Sequence, residues 1–166
     1  AKKYNKFEVL GETLDDALGE AFDKTSKLLG YGYPGGPIIE KLALKGKNSN
    51  FFKLPKPLLK SDNLNFSFSG LKTSIRKITE NPLNKTSQYN LANEFQECVT
   101  EILITKCEKA INLVKKKLNL KSFILAGGVA SNKFIRKKFN LLCEKYSIDF
   151  IVPEKNLCID NATMIA

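Results

Sequence analysis

The side chains with the most chemical potential fall in three stretches. Glu12, Asp15, Asp16, Glu20 and Asp23 form an acidic run inside a strongly basic chain. Dipole preference accounts for Asp15 and Asp16 in the first turn of a helix, but it fades before Glu20 and Asp23. Asp16, Glu20 and Asp23 follow i, i+4, i+7 and so share one helix face. That face reads either as solvated surface or as carboxylates that meet ribose hydroxyls, a metal or an amine. The second stretch is Gly30–Pro37, GYGYPGGP, whose glycines let the backbone approach a ligand closely. Glu40 follows it, in the first turn of a helix expected over Pro37–Lys45, where a carboxylate either accepts both hydroxyls of a ribose or simply suits the dipole.

The third stretch, Ser122–Asn132, SFILAGGVASN, organises the rest. Ser122–Leu125 reads as a buried strand, Gly127 and Gly128 remove side chains where the chain turns, and Asn132 is a good N-cap for the amphipathic run Lys133–Tyr146. A strand that ends on paired glycines and restarts as a helix leaves backbone N–H groups at its tip, with a positive dipole end behind them. Such a junction is either an ordinary turn or a place for a nucleotide.

No histidine is present, which removes any Ser-His-Asp or Cys-His nucleophile and any histidine metal ligand supplied by this chain. The four cysteines, Cys98, Cys107, Cys143 and Cys158, show no C-x-x-C pair and lie on apolar positions, as reduced core residues of a cytoplasmic protein would. Lys and Arg number 27 against 17 acids, a net charge of +10 that suits a nucleic-acid partner. Only Arg76 and Arg136 are arginines, so the support for RNA is weak. No apolar run approaches the length of a membrane span.

The elements that must position these residues follow from periodicity. Phe7–Leu10 reads as a short strand, followed by a helix capped by Thr13 with Leu14, Leu18, Ala21, Phe22, Thr25, Leu28 and Leu29 at helical spacing. Residues 45–60 are irregular and basic, with Pro55 and Pro57. Asn65–Ser69 alternates like a strand and turns at Ser69-Gly70 into a helix, Leu71–Thr79, carrying Lys72 and Arg76, a junction that could hold a phosphate. One long amphipathic helix, roughly Ser87–Leu118, leads into the Gly127-Gly128 strand. Ile148–Val152 is the next strand, closed by Pro153, and Leu157-Cys158-Ile159-Asp160-Asn161 opens a helix. Ala1 enters a strand pattern within a few residues and Ala166 stops inside a helix, so the sequence reads as an excised part of a longer chain.

Taken together, GETLDDALGEAFDK, YGYPGGP, SFSGLKTS, AGGVASN and LCIDNATMIA resemble the signature blocks of the TsaD family, long labelled O-sialoglycoprotein endopeptidases or glycoproteases. The resemblance runs through nearly the whole chain, in the family's order and spacing. It implies an α/β fold, the second half of an actin-like, sugar-kinase-like, Hsp70-like ATPase fold with an inserted helical part. The expected division is 1–46 with the acidic helix and Pro-Gly-Gly loop, 47–86 as a connecting or inserted segment, and 87–166 as the C-terminal subdomain.

The activity implied is transfer of threonylcarbamoyl from threonylcarbamoyl-AMP to N6 of the adenosine just 3′ of the anticodon in tRNA. By motif, Asp23, Gly36, Glu40, Gly127, Gly128 and Asn132 are the expected substrate or nucleotide contacts, and Asp160 is the metal ligand. The family's other metal ligands are two histidines in an N-terminal half absent from this sequence. One divalent metal, iron or zinc, is thus expected per full-length subunit, with no tight binding to this chain and no activity from it alone. Expected partners are an ATP-type nucleotide, tRNA, a related actin-like subunit of the TsaB type and a small ATPase of the TsaE type, with no membrane. The alternatives are half of another kinase of this superfamily, a metalloprotease as the old label says, which one carboxylate without histidines disfavours, or a non-catalytic basic module that binds RNA.

Overall fold

The structure, a computed structural model, describes residues 7–47, 50–154 and 157–158. In chain order the elements are α1 (Leu18–Leu28), α2 (Gly35–Ala43), α3 (Ser69–Thr79), α4 (Lys85–Lys115), β1 (Ser122–Ile124), α5 (Lys133–Tyr146) and β2 (Asp149–Ile151), with a 3-10 turn at Gly128–Ser131 between β1 and α5. The fold is mixed α/β.

The spine, α4, is capped by Asn84, whose side chain accepts from the Ser87 backbone N–H at 2.8 Å. Its fully buried Leu91, Phe95, Val99 and Ile102 form an apolar face, and α2 packs on α4. Phe95 meets Phe22 of α1 edge to face, with centroids 5.0 Å apart. α2 closes on α1 through Gly35. A Cβ there would sit 2.5 Å from the Phe22 carbonyl oxygen and 2.6 Å from the Asp23 Cα, so only glycine permits the approach.

β1 and β2 pair in parallel, with Phe123 opposite Phe150 and Ile124 opposite Ile151. α5 makes the crossover between them. Its Phe139 stacks on Phe123 and Phe150 at 5.2 and 6.4 Å, which covers one face of the sheet. Ile124 and Ile151 on the other face stay exposed, a face that parallel sheets ordinarily bury. α5 ends at Ser147 in the left-handed region (φ 52°), with the Ile148 N–H returning to the Cys143 carbonyl.

Three expected elements differ. Phe7–Leu10 is exposed and forms no strand, because no neighbouring strand pairs with it among the described residues and a lone strand leaves its backbone groups unpaired. Of Asn65–Ser69, only Phe66 enters a ladder, as an isolated parallel bridge to Thr13. α1 begins four residues later than the Thr13 cap implied: the Thr13 hydroxyl donates to the Asp16 carbonyl, and Leu14 remains exposed.

The reason for that delay is Asp15. Instead of capping its own helix, it reaches the start of α3, where Oδ1 accepts from the Phe68 and Ser69 N–H groups at 2.7 and 3.1 Å and Oδ2 from the Ser67 and Ser69 hydroxyls at 2.5 and 2.7 Å. The Ser69-Gly70 junction expected to hold a phosphate thus already carries an anion, a carboxylate of the chain itself. Burial pushes the Asp15 carboxyl up, but these hydrogen bonds outweigh it and hold the group well below the usual carboxylate range.

Because the folded carboxyl titrates below the unfolded one, its contribution to stability is complete above the ordinary value of about pH 4 and fades as pH falls toward the depressed one. Asp15 is exposed, so screening limits the effect. Asp15→Ala should lower the unfolding free energy at pH 7 by about 1 kcal/mol. In urea titrations from pH 7 to pH 2.5, the gap to wild type should narrow with acid.

Candidate functional site

A cleft of about 530 Å³ opens where α1, the loop Tyr33–Pro37, α2 and the turn after β1 meet. Gly19, Phe22 and Asp23 line it from α1, Tyr33, Pro34, Gly36, Pro37 and Glu40 from the loop and α2, and Gly128, Val129, Ser131 and Asn132 from the turn. The fold therefore brings Asp23, Gly36, Glu40, Gly128 and Asn132 to one place from widely separated segments. Gly127 stands just outside, at φ 90°, a backbone value suited to glycine that starts the turn. Asp160 lies outside the described residues.

Each carboxylate of the cleft is anchored by one oxygen. Asp23 Oδ1 accepts from the Gly35 N–H at the start of α2 (2.7 Å), and Glu40 Oε1 from the Lys133 N–H at the start of α5 (2.6 Å). Neither Asp23 Oδ2 nor Glu40 Oε2 has a hydrogen-bond partner among the described residues, so each carboxylate keeps an acceptor for a hydroxyl donor. Glu40 falls in the second turn of α2, because α2 begins at Gly35 and not at Pro37. The rest of the acidic run is spent elsewhere. Lys24 pairs with both Asp16 and Glu20 at 2.7 Å, so the shared carboxylate face does not survive as a unit.

The positive end of α5 is also occupied. Glu40 takes the Lys133 N–H and the Asn132 side chain takes the Ile135 N–H at 3.0 Å, which makes Asn132 the N-cap its position implied. It does more than cap. Its Nδ2 donates to Gln96 Oε1 of α4 at 2.9 Å, and both residues are buried. The Asn132 side chain thus holds the turn in place, with its amide engaged at both ends. Arg136 completes the clasp by donating to the Ala130 carbonyl and, at 3.0 Å, to that of Pro153 beyond β2.

A wider, shallower depression of about 690 Å³ over residues 50–61 and Glu101 contains none of the expected contacts. Lys56 there is paired with Glu101 at 2.5 Å. The chemistry points to the smaller cleft, where acceptors, glycines and a helix start converge.

A family model described as TsaD: tRNA N6-adenosine threonylcarbamoyltransferase matches residues 1–166. The chain belongs to the TsaD family. Among similar proteins, the tRNA N6-adenosine threonylcarbamoyltransferase of Thermosipho africanus (strain TCF52B) is 46% identical over 99% of this chain and 49% of its own length. That of Thermosipho melanesiensis (strain DSM 12029 / CIP 104789 / BI429) is 50% identical over 97% and 48%, and that of Wolbachia sp. subsp. Brugia malayi (strain TRS) is 44% identical over 99% and 49%. The chain spans about half the length of the curated relatives it matches.

Among the described residues of this TsaD-family chain, no cluster of three or more Cys, Asp or Glu side chains could hold a metal ion, so they do not by themselves fit a metal centre. Cys98 and Cys107 offer no thiolate either. None of the four cysteines is in a disulfide, and burial pushes the Cys98 and Cys107 thiols up to about 12. No helix among the described residues is long and apolar enough to cross a membrane.

Gln96 and Arg136 were not legible as site residues. Gln96 looks like one more polar residue of a long helix, and Arg136 like one more cation in a basic run.

Asn132→Ala removes a helix cap and leaves Gln96 Oε1 buried without a donor. The cap is worth about 0.5–2 kcal/mol and the orphaned acceptor about 1–3. The unfolding free energy in urea should fall by about 2–4 kcal/mol, and by less in Gln96→Leu, where α5 keeps its cap. The double variant should lose less than the sum of the two single losses, because the pair shares one bond.

Proposed function

We propose that the cleft is the nucleotide half-site of a tRNA N6-adenosine threonylcarbamoyltransferase and that this chain is the C-terminal half of that enzyme. The observation that carries the reading is the convergence of Asp23, Gly36, Glu40, Gly128 and Asn132 on one cleft of about 530 Å³. In this reading the ligand is threonylcarbamoyl-AMP or an ATP-type nucleotide. Its ribose hydroxyls donate to the free oxygens of Asp23 and Glu40. The backbone at Gly36 and at Gly127-Gly128 allows close approach of the sugar and phosphate, and Asn132 holds the turn that carries those glycines.

In this reading the labour is divided. The chain's own groups bind and orient the nucleotide, whereas the acceptor amine is N6 of an adenosine in tRNA. Asp160 stands as this chain's single contribution to the family's divalent metal, iron or zinc, with the remaining ligands supplied by the other half. The two halves together form the actin-like ATPase architecture, in which residues 1–46 and 87–166 frame the nucleotide and 47–86 form the inserted part. A related actin-like subunit and a small ATPase are the partners, in the cytoplasm.

Paired glycines separate binding from folding. A Cβ on Gly36 meets nothing within 4 Å, whereas one on Gly35 strikes backbone. In the full-length enzyme, Gly36→Val should keep the wild-type urea midpoint while its side chain fills the cleft. Threonylcarbamoyl transfer at limiting nucleotide should then fall by at least about tenfold, the cost of about 1.4 kcal/mol of lost binding. Gly35→Ala should instead lower the midpoint. Wild-type transfer by Gly36→Val at limiting nucleotide would place the ligand elsewhere.

A further inference from the structure

Of the two aromatic rings that line the cleft, Phe22 is 1% exposed and packed on Phe95, whereas Tyr33 is 83% exposed. No hydrogen bond, ring or cation engages Tyr33 among the described residues. Tyr31, two residues earlier, shows the usual alternative: its hydroxyl donates to Gln88 at 2.9 Å and its ring carries the Lys85 ammonium at 5.1 Å. A ring held in water forgoes the large burial gain that aromatic side chains otherwise supply.

The backbone on both sides of Tyr33 is pinned. The Ser26 hydroxyl donates to the Gly32 carbonyl at 2.8 Å, and the Gly35 N–H donates to Asp23 at 2.7 Å. Tyr33 is therefore an unpartnered ring on an anchored loop, beside a cleft that also holds two hydroxyl acceptors, Asp23 and Glu40. A flat apolar face next to diol acceptors matches the two parts of a nucleoside, base and ribose, because every base offers a π-face that stacks on aromatic side chains.

We propose that Tyr33 is the stacking platform for the nucleotide's base, and that it makes the cleft select a nucleotide over a bare sugar phosphate. The proposal rests on the nucleotide reading of the cleft and adds the group that recognises the base. The hydroxyl of Tyr33 has no part in it, since stacking uses the ring.

AMP and ribose 5-phosphate serve as probes with and without a base. In calorimetric titration of the full-length enzyme, Tyr33→Ala should weaken AMP binding by between about fivefold and a hundredfold, the range of single base–aromatic stacks, and leave ribose 5-phosphate unchanged. Tyr33→Phe, which keeps the ring, should restore AMP affinity. Tyr33→Trp, which also keeps an aromatic face, should retain AMP affinity. The urea midpoint should be the same in all variants, because the side chain packs on nothing. AMP affinity unchanged in Tyr33→Ala, or an equal loss for both probes, would overturn the proposal and leave the nucleotide reading standing. A full-length wild-type enzyme that binds neither probe would overturn both.

Discussion

A helix of 31 residues runs about 46 Å, and apolar contact alone cannot set the register of neighbours along so long a face, because the hydrophobic effect has no direction. In this chain the register comes from three buried polar residues of α4, each holding a different segment. Glu94 accepts from the Phe52 and Leu54 N–H groups at 3.0 and 3.1 Å. Gln96 accepts from Asn132. Lys106, 1% exposed, donates to the Ser61 hydroxyl at 2.7 Å and the Asn63 carbonyl at 2.6 Å. A buried polar group without its partner is costly, so each of these side chains admits one placement of its segment.

The Gln96 contact bears on the cleft because it holds, through Asn132, the turn that lines it. The turn Gly128–Ser131 is one helical turn between a short strand and α5, with little packing of its own beyond Ala130. It is held from α4 through Gln96 and Asn132, from α2 through Glu40 and Lys133, and from the far side through Arg136. A ligand meeting this turn meets a backbone already fixed by three directed contacts, which is the preorganisation that binding sites need. Glu40 serves twice in this arrangement, as an anchor for α5 through one oxygen and as an open acceptor through the other.

Charge is distributed by the same logic. The chain carries +10 overall, yet three helix starts are held by acids: Asp15 at α3 and, at the cleft, Asp23 at α2 and Glu40 at α5. Each sits where a positive dipole end and unpaired N–H groups favour a carboxylate. Most lysines remain on the surface, and those near acids are neutralised locally, as Lys24 is by Asp16 and Glu20. The basic character of the molecule is thus a surface property, whereas the cleft presents the carboxylates of Asp23 and Glu40.

What the sequence determined by itself was everything encoded within a turn or two of chain. The apolar period of α4, the strand–glycine–helix order of β1 and α5, the Asn132 cap and the burial of Cys98, Cys143 and Cys158 were all legible, because spacing and capping act between residues three or four apart. The signature blocks marked the cleft residues for the same reason, each block being a local run. What only the tertiary structure decided were contacts that close long loops. Asp15 reads locally as a residue for its own helix and serves another, more than 50 residues on. Glu40 reaches Lys133 across 93, and Gln96 has no local reason to differ from its neighbours. The strands expected at Phe7–Leu10 and Asn65–Ser69 failed on the same ground, since a strand exists only through the partner that pairs with it, and local alternation carries no information about that partner.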